Sequence, residues 1–124
     1  MGLHSRLAEK EHEKREYERD LTECEESYDF INQKRRIIEE DIYQPDNAFD
    51  MTSSGDWYGK LEQDADNFRN DLCSKTSIIL SNTSEHLNDL QKVMERLREL
   101  IRECEEEIAA LEEEIRERER RDNI

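Results

Sequence analysis

The sequence is poor in the residues that build turns, and it has no long hydrophobic run. Its 124 residues include three glycines and one proline, which are too few for the many turns of a sheet protein. No stretch approaches the roughly 18 uncharged apolar residues of a membrane span. The first twenty residues also lack the apolar core of a signal peptide. We therefore expect a helical, cytoplasmic chain with neither a membrane anchor nor a cleavable signal sequence.

Basic and apolar residues are also scarce relative to acidic ones. The chain has 19 Lys+Arg against 34 Asp+Glu, which gives a formal net charge of −15. This charge repels phosphate backbones and makes nucleic acid a poor partner. Only 33% of the residues are hydrophobic, which is too few for the thick core of a compact enzyme with a small-molecule pocket. A long acidic helical protein or a disordered chain remains, and the periodicity of apolar residues decides between them.

Cysteine and histidine are few and scattered. The three cysteines are Cys24, Cys73 and Cys104, an odd number without the short paired spacing of a zinc site or the density of a disulfide scaffold. We expect reduced thiols, with a Cys24–Cys73 disulfide across a helical hairpin as the open alternative. The three histidines share no face with carboxylates at ligand spacing. We therefore predict no metal, no cofactor and no catalytic residues.

The first half of the chain contains a heptad pattern, in which apolar residues recur in alternating steps of three and four. Charged residues fill most other positions, and three charged residues also fall on the line itself. The pattern predicts a helix over residues ~3–43 whose inward line is Leu3, Leu7, Lys10, Lys14, Tyr17, Leu21, Cys24, Tyr28, Ile31, Arg35, Ile38 and Ile42.

The pattern stops at Gln44-Pro45, and turn-forming residues follow, which predicts a loop over residues ~44–55. A second apolar line then predicts a helix over residues ~56–121. Its expected inward positions are Trp57, Leu61, Ala65, Phe68, Leu72, Thr76, Ile79, Thr83, His86, Leu90, Val93, Leu97, Ile101, Cys104, Ile108, Leu111 and Ile115.

Two helices joined by one short loop predict an all-α fold, an elongated antiparallel helical hairpin that resembles a coiled coil. A turn centred near residue 49–50 would place Leu3 opposite Arg96, and the second helix would then protrude by about 25 residues at its C-terminal end. The apolar line continues through this overhang. We therefore expect another chain to complete the fold by covering Leu97, Ile101, Cys104, Ile108, Leu111 and Ile115.

The local motif Trp57-Tyr58-Gly59 lies where the loop ends and the second helix begins. It contains the only Trp of the chain. In one interpretation it is an aromatic plug at the loop end of a hairpin, because Trp buries a large apolar face and Gly permits close packing. In the other interpretation it is a Trp-x-Gly recognition motif.

With the size, acidity and two-helix pattern of the chain, Trp57-Tyr58-Gly59 resembles the hairpin motif of the WXG-type (ESAT-like) proteins of type VII secretion in Gram-positive bacteria. More narrowly, the chain resembles the small helical proteins that pair with LXG-domain toxins. In that group a Phe follows on the same face of the second helix, and Phe68 is its counterpart here. The aromatic-xxx-acid spacing of the family's export signal occurs at Tyr58 and Glu62, beside the motif.

The resemblance implies a non-catalytic partner and targeting factor, similar to a chaperone, for an LXG-type toxin. Its partners would be the toxin, a second small helical protein and the type VII translocase. The chain would be cytoplasmic or would be secreted by that system without a cleavable signal peptide. The predicted interface and export residues are Trp57, Tyr58, Gly59, Glu62, Phe68, Leu72, Leu97, Ile101, Ile108, Leu111 and Ile115.

Two alternatives stay open on the sequence alone. A self-associating coiled coil that acts as a scaffold or tether would also carry two heptad lines. A prefoldin-like chaperone subunit would share the helical arms, but it requires a β-hairpin at its base, and residues 44–56 have no strand pattern.

Overall fold

The computed structural model describes residues 2–44 and 59–123 and contains two long helices. Helix α1 spans Leu3–Ile37 and continues into a π-helical segment, Ile38–Tyr43. Helix α2 spans Gly59–Asp122. No strand occurs within the described residues, and the all-α helical hairpin predicted from the sequence is confirmed. Most of the predicted loop, together with Trp57 and Tyr58, lies outside the described residues.

Residue composition explains the length of both helices. Neither contains a proline, and the glycine of α2 stands at its first position, Gly59, so no helix-breaking residue interrupts either element. The last turns of α2 carry ion pairs between residues three and four positions apart, among them Glu113–Arg116 at 2.7 Å and Glu114–Arg118 at 3.5 Å. Such pairs stabilise an exposed helix by a few tenths of a kcal/mol each, about 0.2–0.5. In the described part of the chain, neither helix has an apolar stretch long enough to cross a membrane.

The inward line predicted for α1 is confirmed from Leu3 to Ile38. Each predicted position in this range is half-buried, whereas most other α1 positions are exposed. The prediction fails at Ile42, which is exposed, while Tyr43 is half-buried in its place. The π-helical segment explains this difference, because its wider turn moves the inward direction one residue later than an α-helix would.

The inward line predicted for α2 is correct at every position from Leu97 to Ile115. Before Leu97 it is correct at Ala65, Thr76, Thr83 and Leu90 and wrong at Leu61, Phe68, Leu72, Ile79, His86 and Val93. The structure keeps a strict alternation of three and four residues, whereas the predicted line three times takes two steps of four in succession. Adjacent apolar residues made these choices plausible in the sequence. At each difference the structure protects the next residue along the chain: Cys73 for Leu72, Leu80 for Ile79, Leu87 for His86 and Met94 for Val93.

Contacts divide the chain into two units, and the first combines Met1–Ser27 with Leu90–Ile124. Here Lys10 Nζ lies 2.8 Å from Glu107 Oε2, and Lys14 Nζ lies 3.6 Å from Glu105 Oε1. The residue numbers of these antiparallel pairs add up to 117 and 119. The expected value was about 99, the sum for a turn centred near residue 49–50.

The predicted C-terminal overhang of about 25 residues is therefore wrong. Leu3 lies at the level of residues near 115 rather than at the level of Arg96. Cys104 and Leu111 are among the buried residues of the chain, and Ile115 is half-buried. The C-terminal apolar line is covered by this chain's own first helix, because the pairing is displaced by nearly twenty residues.

The second unit comprises Tyr28–Asp89. Its cross-helix hydrogen bond runs from Arg35 Nη1 to Ser84 Oγ, at 3.3 Å, and the two residue numbers add up to 119. With this register Gln44, the last described residue before α2, lies level with residue 75. Residues 59–74 of α2 therefore extend beyond the described end of the first helix. The segment of α2 without a partner in α1 lies at its beginning.

The core of the described residues is thin, and Leu87, at 4% exposure, is one of its most buried side chains. We predict that Leu87→Ala lowers the free energy of unfolding by about 2–4 kcal/mol, because it removes buried methyl groups and leaves a cavity. Leu61→Ala is the matched control, since Leu61 is 69% exposed and should change stability by less than about 0.5 kcal/mol. Urea unfolding followed by circular dichroism measures both, and equal effects would contradict the inward line described above.

Candidate partner-binding surface

Large exposed apolar side chains concentrate in the second unit. Among the described residues, Val93 is the one such side chain that belongs to the first unit. Scattered exposed apolar residues are ordinary, but a concentration on one part of a small chain marks a contact surface. The members in the second unit are Phe30, Ile37, Ile42, Leu61, Phe68, Leu72, Ile78 and Ile79.

Four of these side chains form one line along α2, which we name the α2 stripe: Leu61, Phe68, Leu72 and Ile79. Their spacings are seven, four and seven residues, so at about 100° per residue they lie within about 20° of one direction. Leu61 and Phe68 are 69% and 70% exposed, and Leu72 and Ile79 are 41% and 54% exposed. The α2 stripe lies about 80° around the helix from the inward line.

At the beginning of α2, charged side chains are half-buried and large apolar side chains are exposed, which is the opposite of an ordinary surface helix. The half-buried positions include Glu62, Asp66 and Arg69, whereas Leu61 and Phe68 face outward. Arg69 Nη2 lies 3.9 Å from Asp66 Oδ1 on the same helix. A helix normally turns its apolar stripe toward a core and its charged residues toward water. The described residues of this chain provide no such cover for the α2 stripe.

The structure separates the predicted interface residues into two groups. Phe68 and Leu72 lie on the α2 stripe, Glu62 is half-buried beside it, and Gly59 begins α2. The predicted positions Trp57 and Tyr58 lie outside the described residues. The second group faces α1 within the first unit and is half-buried or buried there: Leu97, Ile101, Ile108, Leu111 and Ile115. The expectation that this chain leaves these residues uncovered is therefore wrong.

Sequence reasoning missed the roles of Leu61 and Ile79, which it placed on the inward line. A signal for the correct placement exists in the sequence. Extending the strict alternation of three and four backward from Leu97 selects Leu87, Leu80 and Cys73 for the inward line and leaves Ile79 outside it. Continuity of the heptad was thus more informative than local hydrophobicity.

A polar cluster interrupts the apolar line of the first unit. Lys10 Nζ contacts Glu107 and, at 3.1 Å, Glu13 Oε2, and the Tyr17 hydroxyl donates a hydrogen bond of 3.2 Å to Glu13 Oε1. These hydrogen bonds raise the pKa of Lys10, chiefly through Glu107. The hydrogen bond from Lys10 lowers the pKa of Glu13. Charged residues on an otherwise apolar line favour one register over others, because a shifted register would leave them without these partners.

The three cysteines are free thiols in this structure. Cys24 lines a shallow groove of the first unit together with Leu90, Val93 and Leu97. The Cys24–Cys73 disulfide, the open alternative of the sequence, is not formed in this structure. Cys104 is 4% exposed, and desolvation raises the pKa of its thiol, which disfavours the reactive thiolate. No cluster of potential metal ligands occurs in the described ranges.

Comparison of this chain with protein-family models, with curated proteins and with solved structures gives no match. The resemblance to the WXG-type proteins therefore rests on the sequence features alone. The exposure of the α2 stripe does not depend on that resemblance.

The pKa of the Glu13 carboxyl provides a test of the polar cluster. Its pKa in the folded protein lies below the ordinary value of 4.5, so its contribution to stability is present above pH 4.5 and is lost as the pH falls through the lowered pKa. We predict that Lys10→Met returns the pKa of Glu13 toward 4.5, as followed by carboxyl NMR titration. Lys75→Met is the control, because Lys75 pairs with Asp71 on the other unit. A Glu13 pKa that Lys10→Met leaves unchanged would contradict the cluster.

Proposed function

We propose that this protein is a non-catalytic adaptor that binds the helical N-terminal domain of an LXG-type toxin and promotes its export by a type VII secretion system. The α2 stripe is the observation that carries the binding part of this proposal. The resemblance of Trp57-Tyr58-Gly59 and its surroundings to the WXG-type proteins supports the choice of toxin and secretion system.

Energetics favour a binding role for the α2 stripe. Covering one Leu, Ile or Phe side chain contributes roughly 1.5–3 kcal/mol relative to leaving it in water. The four members of the stripe are all exposed, so a partner that covers them gains several times this amount before the cost of association. An adaptor of this kind also shields the matching apolar surface of its toxin in the cytoplasm, before export.

The targeting part of the proposal concerns the motif beside α2. Trp57-Tyr58-Gly59, with Glu62 four residues after Tyr58, would supply part of a composite export signal that the membrane translocase reads. A second small helical protein would complete the complex. The adaptor acts in the cytoplasm, and the type VII system is its route if it leaves the cell with the toxin.

A self-associating coiled coil is the competing function, because a second copy of the chain would also cover the α2 stripe. The net charge of −15 on each copy opposes this association, since like charges repel when two chains approach. The adaptor is therefore the better-supported function. Light scattering on the purified chain separates the two, with a tight homodimer favouring self-association.

We predict that an LXG-type polypeptide co-purifies with the tagged chain from cells that express both. Deletion of the gene for this chain should reduce the toxin in the culture medium at least tenfold while the toxin transcript is unchanged. Complementation with the wild-type gene is the control and should restore export. Toxin export that survives the deletion, together with an empty pull-down, would refute the adaptor function.

A further inference from the structure

We infer that the α2 stripe is the docking site for a single α-helix of the partner, one with apolar residues at heptad spacing and basic residues beside them. This inference rests on the proposed adaptor function and deepens it by naming the surface and the chemistry of its occupant. The interface then lies at residues 61–79 and does not include the C-terminal half of α2, where the sequence predicts five of its eleven residues.

Two features leave the α2 stripe without cover from α1: the register of the α1–α2 pairing and the direction in which the heptad of α2 turns its side chains. The Arg35–Ser84 hydrogen bond places residues 59–74 beyond the described end of the first helix. Where the two helices do pair, the heptad turns Leu80 inward and leaves Ile79, at 54% exposure, outside. The result is one continuous apolar line rather than isolated exposed residues.

The spacing of the stripe determines what kind of element fits. Positions 61, 68, 72 and 79 repeat as knobs along a helix over about 27 Å, at 1.5 Å per residue. A second helix of about five turns presents holes at the same interval, whereas an extended peptide presents alternate residues at a different repeat. The partner element is therefore a helix with its own apolar stripe.

The charges beside the stripe select the occupant. Asp64 and Asp71 are exposed, and each lies three residues after a member of the stripe, so both fall on its outer border. Lys75 lies on the same border and is engaged at 3.0 Å by Asp71. The exposed Lys60 also lies on this side of the stripe, so the border carries two acidic and two basic residues. Basic side chains on the partner helix would pair with the acidic members of the border, and they would relieve part of the net charge of −15 on the whole chain. A second copy would instead bring its own acidic border.

Ile78 and Ile79 provide a matched pair of positions for the test. Both are exposed, at 58% and 54%, and they are neighbours in sequence, but Ile78 lies seven residues after Asp71 and so falls on the outer border rather than on the stripe. Charged substitutions at the two positions therefore cost similar amounts in the free chain. They differ in what the substitution changes: at Ile79 it removes an apolar member of the stripe, whereas at Ile78 it adds an acidic residue to the border.

The experiment measures, by titration calorimetry, binding of the full-length chain to the full-length LXG-type polypeptide that co-purifies with it. We expect Phe68→Asp with Ile79→Asp to weaken binding roughly 100-fold or more, because two buried apolar contacts are replaced by desolvated charges. Ile78→Asp should bind within about twofold of the wild type or more tightly, because it removes no member of the stripe and adds to the acidic border. Asp64→Lys with Asp71→Lys should weaken binding several-fold, with a smaller effect at high salt.

Each outcome has a definite meaning. If the wild type binds and the stripe variant binds equally well, the docking site is wrong while the adaptor function stands. If Ile78→Asp weakens binding as much as the stripe variant, the site is also wrong. If the wild type does not bind at all, the adaptor function itself fails. A homodimer that the stripe variant abolishes would make a second copy the occupant. Phe68→Ala with Ile79→Ala replaces the charged variant if circular dichroism shows that the latter has lost helix.

Discussion

The antiparallel pairing of α1 with α2 determines which apolar side chains this chain covers by itself. Within the second unit, Arg35 Nη1 donates to Ser84 Oγ, and the corresponding register leaves the first sixteen or so residues of α2 without α1 beside them. Those residues carry Leu61, Phe68 and Leu72, which are exposed. Had the turn been centred ten residues earlier, α1 would have lain beside this segment and the C-terminal apolar line would have been free.

Polar side chains within the helix pairing are as informative as the apolar ones. In the first unit Lys10 and Lys14 occupy inward positions and meet Glu107 and Glu105 across the pairing. Such partly exposed ion pairs add little net stability, but they penalise any register in which a lysine would face an apolar residue. In a thin two-helix core, where apolar contacts alone specify register weakly, this penalty selects one pairing.

The sequence was sufficient to predict the helical hairpin and nearly all of the inward line of α1, from Leu3 to Ile38. Periodicity is a local property, and the heptad of α1 has few adjacent apolar residues that could shift its phase. In α2 the neighbours Ile78, Ile79 and Leu80 are compatible with two phases of the heptad, and local hydrophobicity does not distinguish them. The register of α1 against α2 could not be predicted, because it depends on cross-helix pairs such as Lys10–Glu107, which no local pattern reveals. The α2 stripe was therefore found only in the structure, although Phe68 and Leu72 were already among the predicted interface residues.

Spin labels at the exposed positions 34 and 85 test the register of the second unit most directly, in a chain whose native cysteines are replaced by alanine. Residue numbers that add up to 119 place the two labels at the same level of the hairpin. With helix axes about 8–10 Å apart, the dipolar distance should be below roughly 25 Å. The register expected from a turn near residue 49–50 would separate the labels by about 30 Å along the axis alone. A distance well above 30 Å would contradict the register and, with it, the exposure of the α2 stripe.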